Sequence, residues 1–475
     1  MADFVPPYPP RLQESPPGWK RFQMARRNLI GMWEEGAFET DFSSERVFMR
    51  RMFLCNSPES VQFAFSLRND SFERKSAQMR HALEPLIGDG LFISDGATWR
   101  QRRKIVAPIV HANRLSEFAP IMVETASETC DRWTALPEGP IDMLAEMAHL
   151  TAEIICRAIF GRELGREHTT EIVDGFRDYQ RLIGQNDLMS LLGLPDWLPR
   201  WRHPAIRRTT KRIQRVIDGI IADVRARRTA GEASVVRSLI DARDERGEPL
   251  SAEAVRNEAA VLFMAGHETT ANSLAWTWFL LSQTPDVEAR VHHELDDALG
   301  GRRPALADLP KLPYLRAVFD ETMRLYPPVP ILPREVLQDE KFGDEPMPKG
   351  SVVVVVPWLL HRHKKLWKNP DHFVPERFLP GSDEPVSKFA YVPFSIGPRV
   401  CAGMSFGLTE ALLCLATLAQ RFTLRLKPGA QVRPVSRLTL RPDGGLPMTV
   451  HARNAARTTE PVAAAATSGC PVHRG

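Results

Sequence analysis

The sequence predicts a mainly α-helical fold with a smaller β region, and three observations carry that expectation. From Leu115 to Ile240 apolar residues recur at helical spacing almost throughout, interrupted at Pro137–Pro140 and around Pro195–Pro204. Between Ser251 and Ser282 lies a run that is apolar or small at nearly every position from Ala259 to Leu281. It describes one helix of roughly 45–50 Å, buried on most sides. β-Like pieces are short and scattered: Val47–Leu54, Lys341–Pro357, Thr423–Leu426 and Leu438–Val450.

Composition narrows the class. Of 475 residues, 43% are hydrophobic and 25% charged, ample apolar material for a large core. A formal net charge of +4 is too small at this length to suggest nucleic acid as a partner. The six cysteines, Cys55, Cys130, Cys156, Cys401, Cys414 and Cys470, show no CxxC pair and no regular spacing. That argues against a disulfide framework and a structural zinc site, and fits a reducing compartment. The N-terminal segment has no apolar signal core, and the longest strongly apolar run, Val352–Leu360, is cut by Pro357 and too short to span a bilayer. The expectation is a cytoplasmic monomer without a membrane span. Its parts are a proline-rich lead over residues 1–20, one large domain over 21–452 and a disordered tail over 453–475.

The prolines of the lead favour an extended path over the surface, and helical pattern starts near Trp19. Asp95-Gly96 makes a turn that opens a helix with Trp99 and Arg103 at i and i+4, among Arg100, Arg102 and Lys104. A charge run of this kind is ordinarily a solvated face. Phe176–Trp201, with Gly184, Gly193 and nearby prolines, reads as a helix pair joined by a mobile loop. Ser251 is placed to cap the long helix. At that helix's centre, Ala265-Gly266-His267-Glu268-Thr269-Thr270 breaks the apolar pattern. Glycine inside a helix costs about 1 kcal/mol relative to alanine, and a carboxylate among apolar residues costs more unless it is satisfied. Local rules tend to fail at functional sites.

Thr284-Pro285 starts the next helix, where His292 and His293 face different directions on a solvated surface. Leu312–Leu325 carries Glu321 and Arg324 at i and i+3, a pair worth about half a kcal/mol when exposed. After the apolar Tyr326–Pro333 come Arg334, the strand-like stretch and Pro375-Glu376-Arg377-Phe378. The loop Phe394–Gly403 then sets Cys401 directly before an apolar helix, Met404–Leu418. A helix N-terminus and the nearby Arg399 both favour a thiolate, while Gly397 and Gly403 leave room for a sharp turn or a flat partner. Most free cysteines are ordinary buried thiols. Here, however, the whole pattern FxxGxRxCxG is present, and it resembles the haem-ligating loop of the cytochrome P450 superfamily.

The resemblance runs from about Val47 to Val450 through five motifs in the family's order. It implies a helical prism enclosing a buried haem b, with Cys401 as the iron ligand. It also implies that Trp99, Arg103, Arg334 and Arg399 meet the propionates, and that Phe394, Gly403 and Ala265 border the haem. The AGxETT segment matches the family's oxygen-activating stretch, where Ala265 and Thr269 leave a groove for dioxygen and Thr269 with Glu268 relays protons. A zinc-peptidase HExxH is excluded, because the fourth residue after His267 is Ala271. Glu321, Arg324 and Arg377 fill the family's structural ExxR and PxRF positions, and Phe263, Val329 and Ile331 are expected beside the substrate.

The activity so implied is a monooxygenase that inserts one atom of O2 into a hydrophobic small molecule such as a fatty acid, terpenoid or steroid. Its electrons would come from a ferredoxin or flavodoxin with its NAD(P)H reductase, docked on Arg100, Arg102, Lys104, Lys364 and Lys365. A peroxide-driven or isomerising haem-thiolate enzyme is the nearer alternative, though such branches commonly replace the acid and threonine present here. A haem sensor or electron carrier is the alternative of another class and has little use for an oxygen groove. Cys470-Pro471 is a possible haem contact only if the tail is ordered.

Overall fold

A computed structural model of the protein describes residues 4–161, 166–182, 204–226, 234–383 and 386–453. Eleven helices of ten or more residues dominate it: α1 Gly18–Arg27, α2 Ala77–Ile87, α3 Gly96–Ile109, α4 Leu115–Thr134, α5 Met143–Phe160, α6 Arg166–Leu182, α7 Pro204–Ala226, α8 Ala252–Gln283, α9 Pro285–Leu299, α10 Pro313–Leu325 and α11 Met404–Ala419. The fold is a mainly helical body with a β-rich flank. The loop assigned to Phe176–Trp201 falls largely outside the described residues, as do Cys470 and Pro471.

α8 is the spine. Ser251 caps it by accepting the N–H of Ala254 at 3.1 Å. The helix then runs for 32 residues through the core, packed on α5, α10, α11 and the strand Phe422–Leu426. Thr284 does not cap α9. Its hydroxyl donates back to the Leu280 carbonyl at 2.8 Å, and Pro285 at the first helical position begins α9 without side-chain help. Asp95 is likewise drawn away from the start of α3 by Arg74, so the Gly96 N–H donates to Glu73 instead, at 2.8 Å.

Strands β1 (Phe42–Val47) and β2 (Arg50–Cys55) form a hairpin. A short strand, β3 (Pro140–Asp142), lies apart from it. The main sheet has the order β1-β2-β7-β4, with β4 Leu332–Glu335 and β7 Val352–Val355, and β2 parallel to β7. Between them, β5 (Glu340–Phe342) and β6 (Glu345–Met347) pair by themselves. Near the end of the described chain, β8 (Phe422–Leu426) and β11 (Pro447–Ala452) build a sheet with β3, and β9 (Pro434–Ser436) pairs with β10 (Leu440–Pro442). The sequence reading merged β2 with the hairpin turn and missed β1, whose Phe-Ser-Ser-Glu-Arg-Val is mostly exposed and lacks an apolar face.

The lead does not simply drape over the surface. Arg11 pairs with Asp371 at 2.5 Å and Glu35 at 3.2 Å and lies 3.9 Å from the Phe38 ring, while the Pro7 carbonyl accepts from Tyr326 at 2.9 Å. Pre-paid proline stiffness and these contacts together hold it as a strap.

Two buried acids anchor the architecture. Glu321 accepts from Arg324 Nε at 2.6 Å and Nη2 at 2.8 Å, from Arg377 Nε at 3.2 Å and from the Val374 N–H at 2.8 Å. Arg324 spends its remaining donors on the carbonyls of His361, Pro370 and His372. Both Glu321 and Arg324 are fully buried, so a pairing read as half a kcal/mol at the surface acts instead as an internal brace. Glu258 in α8 accepts the Leu91 N–H at 3.0 Å, holding the turn after α2 against the spine. Burial pushes its carboxyl up to about 7, opposed by the Leu91 N–H and by Arg102 3.5 Å away and reinforced by Asp89.

Arg324→Ala should leave Glu321 buried with too few donors and cost about 3–5 kcal/mol in a denaturant titration. Glu258 is held protonated in the folded chain up to about pH 7, whereas the unfolded carboxyl ionises from about 4.5. Its contribution is therefore intact below pH 4.5 and is lost as pH rises to 7, on the order of 3 kcal/mol at most. The stability difference between the natural chain and Glu258→Gln should fall across that window in parallel melts. A flat difference would contradict the assignment.

Candidate active site

One cavity, with room of about 280 Å³ for the centres of water-sized molecules, collects most of the residues singled out by their sequence context. Its walls include Trp99 and Arg103 from α3, Ala265, Glu268 and Thr269 from α8, Val329, Arg334 from β4, and the loop side chains Phe394, Arg399, Cys401 and Gly403.

Cys401 opens on this cavity just before α11, which begins at Met404. Its N–H donates to the Phe394 carbonyl at 2.9 Å, which closes the loop. Gly397 makes the loop possible: its φ is +74°, and a Cβ there would lie 1.8 Å from the Phe65 carbonyl oxygen. Nothing lies within 4 Å of a Cβ at Gly403, so packing within the chain does not require that glycine. Burial raises the Cys401 thiol above its ordinary pKa, against the Gly403 N–H and the nearby Arg103 and Lys75. The helix start and the cations reduce this penalty without overcoming it. A metal ion at the sulfur would favour the thiolate further.

The cations tell what else the cavity suits. Arg103 donates to the Val400 carbonyl at 2.9 Å. Arg399 donates to the Ser94 carbonyl and lies 4.5 Å from the Trp99 ring, but its Nε is buried without a partner among the described residues. Arg334 is almost fully buried, and neither of its terminal nitrogens has a hydrogen-bond partner among the described residues. Burial, with the charge of Arg399, lowers Arg334 to about 9. Lys75, which the sequence reading missed, lines the same cavity and is buried. Burial, then Arg334 and Arg399, pulls its pKa well below the ordinary lysine value, with Cys401 opposing. Buried, unsatisfied like charges facing one space call for anions, and the two carboxylates of a haem answer that need at the place where a thiol is also presented. The residues present therefore fit a haem.

On α8, the Thr269 hydroxyl donates to the Ala265 carbonyl at 2.7 Å. Glu268 is partly buried, with Oε1 3.8 Å from Arg441 Nη1 on β10. Gly266 also borders the cavity, but its need is packing: a Cβ would lie 2.9 Å from Ile155 Cδ1 on α5. The His267 carbonyl accepts from Thr151 at 2.9 Å.

Two of the expected substrate contacts lie elsewhere. Phe263 is fully buried against Phe176, with ring centroids 4.5 Å apart, and does not line the cavity. Ile331 lines a neighbouring cavity beneath α1. The five basic residues do not make an open docking face either. Arg102 is buried beside Asp89 and Glu258, Lys104 pairs with Glu245, Lys364 with Glu35 and Glu39, and Lys365 with Asp41. Among the described residues, Arg100 is the one of the five that is exposed without such a pairing. Neither Arg102 nor Phe263 could be placed from sequence spacing, because their burial is decided by partners far away in the chain.

The family model for cytochrome P450 matches residues 38–447. The chain is 34% identical over 411 residues to cyclooctatin synthase of Streptomyces melanosporofaciens, covering 84% of this chain and 86% of that protein. It is 30% identical over 405 residues to human cytochrome P450 4V2, covering 80% and 77%. The crystal structure of the cytochrome P450DA heme domain superposes with a TM-score of 0.77 at 24% identity, covering 95% and 99%, a likeness of fold. With the family model matched over most of its length, the chain belongs to the cytochrome P450 family, the haem-thiolate monooxygenases in which a cysteine ligates the haem.

Proposed function

We propose that the protein oxygenates a neutral, apolar small molecule of terpenoid or steroid type, with Cys401 as the thiolate ligand and Thr269 and Glu268 handling protons. The observation that carries this reading is the sharing of one cavity by Cys401, the Ala265–Thr270 stretch and an apolar wall that includes Leu83, Leu91, Phe92, Val261 and Leu262. Away from the cation rim and the α8 stretch, the lining offers few polar groups to hold a charged substrate. The relative named cyclooctatin synthase supports a terpenoid as the first class to screen.

When bound, haem supplies oxygen activation, and a thiolate ligand favours O–O cleavage. Arg334, Arg399, Lys75 and Arg103 would hold its carboxylates. Thr269, whose hydroxyl donates its hydrogen bond to the Ala265 carbonyl, keeps its lone pairs available to accept one in the groove. Glu268, 3.8 Å from Arg441, takes protons from solvent at its carboxylate and returns them toward Thr269. The apolar walls exclude bulk water from the rest of the space. The electrons are assigned to a separate ferredoxin or flavodoxin with its reductase.

Reduced protein exposed to carbon monoxide should show the strongly red-shifted Soret band of thiolate-ligated haem, and Cys401→Ala should lose it. Thr269→Ala should keep consuming reductant while product per reductant falls roughly tenfold or more and peroxide rises. Unchanged coupling in that variant would remove Thr269 from the relay. Arg334→Leu should be purified with less haem at equal fold, read as the Soret-to-protein absorbance ratio.

A further inference from the structure

The backbone of residues 71–75 is fixed along the end of β4, where the Ser71 carbonyl accepts the Leu337 N–H at 2.8 Å and the Arg74 carbonyl accepts the Glu335 N–H at 2.9 Å. Successive side chains leave it in different directions. Lys75 faces the reaction cavity, Arg74 pairs with Asp95, and Glu73 accepts the Gly96 N–H at 2.8 Å through Oε1.

Glu73 is 6% exposed, and its second oxygen, Oε2, is buried without a hydrogen-bond partner among the described residues. One N–H needs one acceptor, which an amide oxygen would supply as well. Burying a carboxylate for that single bond is unfavourable unless its charge is answered nearby. The answering charge is Arg399, whose Nε is likewise buried without a partner among the described residues. Burial pulls Arg399 down to about 10, opposed by the Glu73 carboxylate and then by Asp95, while Arg103 adds to the lowering. Asp95 is 29% exposed at its side chain and committed to Arg74, so Glu73 is the buried acid of the two. It stands behind a cation that the carboxylate of a bound haem would also use.

We propose that Glu73 is a positioning residue acting through Arg399: its charge competes with a haem carboxylate for that guanidinium and favours the oxidised form of the iron. A nearby negative charge stabilises whichever form carries one more positive charge. A haem carboxylate that must share its arginine also keeps more of its own charge, which acts in the same direction. Groups behind the direct contacts are among a protein's levers on a haem, and Glu73 does not itself line the cavity. The inference rests on haem held with Cys401 at the iron.

The test is a reductive titration of the haem-loaded chain, in which dithionite supplies one electron per iron. Glu73→Gln keeps an acceptor for the Gly96 N–H and removes only the charge. It should move the midpoint upward, favouring the reduced form by roughly tenfold, which is about 59 mV for a one-electron couple. That is the size expected of a unit charge acting across about 10 Å at an effective dielectric of about 20. Glu73→Asp, which retains the charge, should stay near the natural midpoint. Glu73→Gln should also lose haem to apomyoglobin more slowly than the natural chain, because Arg399 is released to the carboxylate. An unmoved or lowered midpoint overturns the proposal, as does a Glu73→Asp shift as large as that of Glu73→Gln. Faster haem loss from Glu73→Gln overturns it too, since Glu73 would then support the site instead of competing for Arg399. A natural chain without the red-shifted carbon monoxide band overturns the thiolate reading and this proposal together, whereas a normal band with equal midpoints overturns this proposal alone.

Discussion

Four donors converge on the carboxylate of Glu321, and the wall behind the cysteine loop depends on them. A charge with no exposure to water is tolerable only when its lone pairs are filled. Two come from Arg324, one turn away on the same helix, and two from the segment Val374–Arg377. The second pair fixes a stretch with little regular secondary structure against α10, and Arg324 then collects three carbonyls from the same region. The result is a rigid backing for a loop that must hold Cys401 in place. No large apolar contact could specify that path as narrowly, because apolar packing tolerates sliding and a satisfied ion cluster does not.

On the opposite side the spine solves a different problem. α8 must be apolar enough to be buried and yet carry Glu268 and Thr269 at the cavity. It does so by letting hydroxyls bond within the helix, as Thr269 does to Ala265, Ser273 to Thr269 and Thr277 to Ser273. Such back-bonding costs the helix little and leaves acceptor capacity facing outward. Glu268 avoids full burial by leaning toward Arg441 at the rim. One helix thus presents polar groups at its centre without an orphaned charge.

Much of this was legible in the sequence wherever chemistry is local. The long helix and its Ser251 cap follow from periodicity and capping rules, and the cysteine loop from a pattern of fixed spacing. What escaped were groups whose role is set by neighbours distant in the chain. Lys75 sits in an unremarkable Arg-Lys-Ser stretch and becomes notable only when Arg334 and Arg399 are found beside it. Arg102 reads as one more solvated cation until Asp89 and Glu258 enclose it. Gly266 reads from the sequence only as a costly break in a helix, whereas Ile155 on another helix is what excludes a side chain there. Phe263 shares a helix with the cavity residues but faces Phe176, since one helix position turns the side chain by roughly 100°.

The strap formed by the lead ties together parts of the molecule that are far apart in sequence. Phe4 packs on Phe279 of the spine and accepts the Phe373 N–H, while Arg11 reaches Asp371, next to the carbonyl of Pro370 that Arg324 holds. A loosening of the braced wall would therefore also disturb the strap. Tyr8 lies in the strap, exposed and outside the lining of the cavity. A fluorophore placed there would act as a remote strain gauge for the cysteine-bearing side of the protein, reading its mechanical state without perturbing the reaction space.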